Sequence, residues 1–183
     1  MWNSLLIAVV YIIAGAGLAA GAQKPPSHPQ NTTSEQEPLP EYVVYDVTHY
    51  HYQNGHLRVE IRFDRGEFYS EDNQLHVENC NFVYYDINGN VLSRGSSKRA
   101  VLFRKNSVLI ARKDVKVVSE VNQATLETQY LRWSGETNQY TTDEFVTITR
   151  KNGDWVSGVG MVADVALEYV AIKKDVRGSF MPD

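Results

Sequence analysis

Over most of its length the chain alternates apolar and polar residues with a period of two. Val59, Ile61 and Phe63 are interleaved with Arg58, Glu60, Arg62 and Asp64, which puts an apolar row on one face of an extended strand and charges on the other. Val115 and Val117 alternate with Asp114 and Lys116, and Leu126, Thr128 and Tyr130 alternate with Glu127 and Gln129. Val146 and Ile148 alternate with Thr147 and Thr149; Leu167, Tyr169 and Ala171 flank Glu168 and the apolar Val170. Turn signals punctuate these runs. Asn54-Gly55, Asn88-Gly89 and Asn152-Gly153 supply the positive φ of tight hairpins. Weaker signals fall at Asp72-Asn73, Lys105-Asn106, Asn122-Gln123 and Asn138-Gln139, so that successive Asn positions lie 19, 15, 18, 16, 16 and 14 residues apart. Such spacing leaves no room for crossover helices, and predicts an all-β, antiparallel domain. A sheet with one apolar face must fold over or pack on a second sheet.

Two segments of different character precede this pattern. Residues 1–22 contain no Asp, Glu, Lys or Arg, and Leu5 to Ala22 is apolar or small apart from Tyr11. Eighteen residues of helix measure about 27 Å, enough for a bilayer core. Trp2 stands where an interfacial aromatic would anchor the end. An uncleaved transmembrane helix is preferred over a signal peptide cut after Ala20-Gly21-Ala22, because the run is longer than a usual signal core. Residues 23–41 hold five of the six prolines, and read as an extended spacer. The β domain is expected over 42–174, with 175–183 a disordered tail.

Composition narrows the function classes. The 183 residues carry a net charge of −4, with a pI of about 5.7, which argues against nucleic acid as a partner. The single Cys80 excludes an intramolecular disulfide. His49 and His51 point to one face of a strand, with His56 past the turn, yet no Asp or Glu completes a metal site. Cys80 has no identifiable base, and Asp143 and Glu144, as neighbours on a strand, face opposite ways. Ser134 lacks the strand–turn–helix setting of a nucleophile elbow, and Gly158-x-Gly160 has no helix after it. No catalytic residue, metal or cofactor is expected.

The residues from Leu126 to Ile172 carry a recognisable order: Thr128, Leu131 and Trp133, then Thr142-Asp143, Val146 and Ile148, then Gly158, Gly160, Met161, Ala163 and Asp164. Tyr85, Asp86 and Gly89 form an earlier strand–turn element. In this order the sequence resembles the LptC family, membrane-anchored periplasmic components of lipopolysaccharide export, and more distantly the soluble LptA. The resemblance implies an open, twisted two-sheet β-jellyroll behind an N-terminal transmembrane helix, in the inner membrane with the β domain periplasmic. It also implies a non-enzymatic lipid carrier that shields lipid A acyl chains in an apolar groove. The alternating residues expected to line that groove are Ile61, Phe63, Phe82, Tyr84, Leu102, Val117, Leu126, Tyr130, Ile148, Met161 and Tyr169. Partners implied are lipopolysaccharide or a related glycolipid, an LptB/LptF/LptG-type ABC transporter and an LptA-like protein, the proteins docking by strand addition. The expected edges are Val43, Tyr45 and Val47 at one end, and Leu167, Tyr169, Val170 and Ile172 at the other. A rival reading is a secreted structural or adhesive β-sandwich whose signal peptide is removed.

Overall fold

The computed structural model describes residues 39–180. The expected anchor at 1–22, and the spacer up to residue 38, lie outside the described residues. Nine strands follow one another: β1 (Tyr42–Gln53), β2 (His56–Tyr69), β3 (Gln74–Tyr85), β4 (Val91–Phe103), β5 (Val108–Ser119), β6 (Ala124–Ser134), β7 (Gln139–Arg150), β8 (Trp155–Asp164) and β9 (Val170–Ser179). Each pairs antiparallel with the next, in the order β1 to β9. No helix occurs among the described residues. Every one of the seven expected turn signals falls at a hairpin, and Asn54, Asn73, Gln123 and Asn138 take the left-handed conformation there.

The alternation left open a sheet that folds over or one that packs on a second, and the resemblance implies a two-sheet jellyroll; one continuous sheet is the finding. It becomes two layers because a crease crosses all nine strands. On the N-terminal side Asp46 (φ 51°) and Asn79 (φ 52°) break the extended backbone, and the Asn79 amide donates to Asp64 between them at 2.8 Å. From β4 onward each ladder slips register: between Ser96 and Arg99, Arg112 and Val115, Thr128 and Arg132, Thr142 and Phe145, and Ser157 and Val159. Lys113, Asp114, Gly160 and Asp175 supply positive φ along the same line. Aligned bulges bend strands in concert, so the half of the sheet on one side of the crease turns to face the other.

Contacts between the layers follow from this folding. The Phe82 ring of β3 lies 6.3 Å from Tyr140 of β7, and Tyr84 meets Trp133 of β6 edge-on at 6.1 Å. Ser93 Oγ and the Tyr140 hydroxyl are 3.1 Å apart. Opposite the crease the mouth is tied shut at two places. Tyr84 donates to Asn138 Oδ1 at 2.6 Å, and the Ala166 carbonyl accepts from Ser119 Oγ at 2.5 Å and Asn122 Nδ2 at 3.0 Å.

The C-terminal end departs from expectation. The run Val165–Ile172 is not one strand: residues 165–169 form the β8–β9 turn, around Leu167 at φ 54°. This turn was missed because it has no Asn-Gly signal and opens on three apolar residues, Val165, Ala166 and Leu167, that it buries. In turn, β9 runs on to Ser179, past the boundary expected at Lys174.

Candidate functional site: an apolar seam across nine strands

Strand register places several inward rows in each layer, and one row in each can be followed across the entire sheet. In the layer holding the β1–β2 turn, the row runs His49, Ile61, Phe82, Gly95, Val117, Leu126, Ile148, Val156 and Gly178. In the facing layer it runs Tyr42, Phe68, Leu75, Leu102, Leu109, Trp133, Tyr140, Ala163 and Val170. The middle of both rows is closed, from Ile61 to Ile148 in the first and from Leu102 to Ala163 in the second. The interior there is tightly filled: the Phe82 ring rests on Gly95, and a methyl group at that position would run into it.

The ends of the rows differ from the middle. Phe68, Leu75, Val156 and Val170 are only half-buried, and Tyr42, stacked on Phe68 with ring centroids 4.8 Å apart, is 43% exposed. The apolar seam thus emerges into solvent beside each edge strand. Nothing pairs with the outer side of β1 or of β9 among the described residues.

Most residues expected to line the groove fall in this interior. Ile61, Phe63, Phe82, Tyr84, Leu102, Val117, Leu126, Ile148 and Met161 are all buried there. Tyr130 is not: the β6 bulge hands the inward position to Leu131, and Tyr130 lies on the outer face with the Arg112 guanidinium 5.2 Å over its ring. Tyr169 is 64% exposed in the β8–β9 turn. Of the expected edge residues, Val43, Tyr45 and Val47 lie on β1, and Val170 and Ile172 on β9. Leu167 and Tyr169 lie in the turn, with Leu167 buried. The C-terminal edge is less apolar than expected, because β9 carries Lys173, Lys174, Asp175 and Arg177. Such charges keep a free edge from pairing indiscriminately.

Polar and titratable groups collect at the β1 end. His49 and His51 face inward, and burial is the main cause that lowers the proton affinity of both. His51 stands edge-on to Trp133 at 6.3 Å. The inward facing of these histidines continues the parity of Val47, a signal present in the sequence and read there only as a shared face. Phe68, Leu75, Trp133, Arg58 and Arg104 were not anticipated as site residues. Burial pushes the Cys80 thiol up to about 12, which leaves it protonated and inert. Among the described residues no group of three or more His, Cys, Asp or Glu gathers as metal ligands.

The family model described as "Lipopolysaccharide-assembly, LptC-related" matches residues 5–181, and the chain belongs to that family. No curated protein matches the sequence. Membership implies a role in lipopolysaccharide export, as a non-enzymatic transport component that is membrane-anchored and periplasmic.

Proposed function

We propose, from this family membership and from the seam, that the chain is a lipid-carrying bridge module. It would receive lipid A acyl chains from an LptB/LptF/LptG-type transporter at β1 and pass them to an LptA-like protein at β9. The observation that carries the reading is the pair of apolar rows running edge to edge and emerging half-buried beside two unpaired strands. A partner strand added at either edge would extend both rows in the same direction. Acyl chains gain about 0.8 kcal/mol per buried CH₂, so transfer between joined seams needs no covalent chemistry. The rival reading, a secreted adhesive sandwich, draws no support from the family match.

Site-specific photo-crosslinking in cells tests the direction of travel. A crosslinker at Tyr45 is expected to capture the transporter and one at Ile172 the LptA-like protein. Capture of neither partner, from a folded and membrane-inserted chain, contradicts the bridge.

A further inference from the structure

The β1 end of the seam holds a set of groups that acyl chains alone do not require. Arg104, in the β4–β5 turn, is one of the charges that, after burial and His51, lower the proton affinity of His49. Its guanidinium also stands 5.5 Å over the Phe68 ring, on the half-buried shelf of Tyr42, Phe68 and Leu75. On the other flank Arg58 acts on His51 in the same way. Arg58 lies 5.3 Å over the Tyr84 ring and donates from Nη2 to the Tyr84 hydroxyl at 3.1 Å. Between the flanks Trp133 packs against His51 and Tyr84, and its buried indole N–H meets no acceptor among the described residues. Neither Arg58 nor Arg104 is paired with a carboxylate among the described residues. Two guanidiniums and two imidazoles form a set dominated by donors. An oxyanion is the group that such a set satisfies, and arginine's planar fork fits its oxygens.

We infer that Arg58 and Arg104, with His49 and His51 between them, seat a phosphate of a phosphorylated glycolipid while its acyl chain lies against Tyr42, Phe68 and Leu75. The inference rests on the carrier reading above and adds to it an orientation, head group at the β1 mouth and chain along the seam. Arg104 joins the two halves, since its guanidinium lies over the Phe68 ring of the apolar shelf and its charge is felt at His49. A free phosphate offers the same oxygens without the chain, so the shelf favours the lipid.

Binding to the full chain in uncharged detergent micelles tests this with three probes: lipid A bearing two phosphates, the same lipid dephosphorylated, and inorganic phosphate. The phosphorylated form is expected to bind about tenfold more tightly than the dephosphorylated one, the size of one lost charge-assisted hydrogen bond. Arg104→Gln and Arg58→Gln should each erase most of that preference and leave the dephosphorylated lipid unaffected. Arg104 donates no side-chain hydrogen bond among the described residues, so Arg104→Gln remains informative if Arg58→Gln disturbs folding. Equal losses for both lipids, or no loss for either, overturn the seat. Displacement of lipid A by inorganic phosphate at the lipid's own concentration assigns the groups to the free anion and overturns the head-group assignment. Binding of neither lipid by the parent chain removes the carrier reading, and the seat with it.

Discussion

The middle of the seam and its β1 end share one pair of inward rows, yet they are built differently. In the middle, Phe82, Val117, Leu126, Leu109 and Tyr140 are each no more than 4% exposed, and Phe82 fills the space left by Gly95. At the β1 end, Tyr42, Phe68 and Leu75 continue the second row with half their cover gone, and cations replace neighbouring side chains. The first arrangement is a core that holds the creased sheet shut. The second has the exposed apolar surface and unpaired charge that an amphiphile would cover. One strand register therefore serves stability where the layers meet and accessibility where they end.

Substitutions should separate the two regions. Phe82→Ala removes a fully enclosed ring and is expected to cost about 3–5 kcal/mol in denaturant unfolding. Gly95→Val, which overpacks against the same ring, should cost about 1–3 kcal/mol. Tyr140→Phe loses the hydroxyl beside Ser93, and should cost about 1 kcal/mol. Phe68→Ala, already half-exposed, should shift the unfolding midpoint less than Phe82→Ala while reducing lipid capture. If Phe68→Ala instead destabilises as Phe82→Ala does, the β1 end is core and the comparison fails.

Acid tests the same boundary with a smaller effect. His49 and His51 hold their protons less tightly when folded than the ordinary value of 6.5. Below about that pH the unfolded chain takes up protons that the folded chain resists, so stability present at neutral pH declines as acidity rises. The thermal midpoint should fall between about pH 7 and about pH 5.5, and the His49→Gln/His51→Gln double variant should remove that part of the fall. Smallest of all, the buried Cys80 should resist alkylation until the chain unfolds. Rapid labelling under native conditions would show that the middle opens.

Local signals carried the strand pattern well and the crease poorly. Seven of the eight turns were readable, and at five of them an Asn or Gly takes the positive φ that few other residues tolerate. The apolar parity of Val59, Ile61 and Phe63 gave the inner face of β2 directly. Tyr130 was misplaced because the β6 bulge shifts parity by one residue, and periodicity cannot register a bulge that no residue type announces. Leu167 was read as strand because a leucine with φ 54° is held by its buried setting, not by propensity. The expected pair of sheets differs from the observed single sheet for the same reason, since a row of bulges across nine strands is a tertiary feature. Arg58 and Arg104 drew no notice because only folding brings them to either side of His49 and His51.

The most direct measurement is photo-crosslinking to radiolabelled lipopolysaccharide in cells, from positions on the two faces of the sheet. Crosslinkers at Phe68 and Val156, half-buried where the two inward rows emerge, should capture lipid, whereas one at Tyr130, on the outer face beneath Arg112, should not. Capture from Tyr130 with none from Phe68 or Val156, in a folded chain, would contradict the lipid-carrying seam.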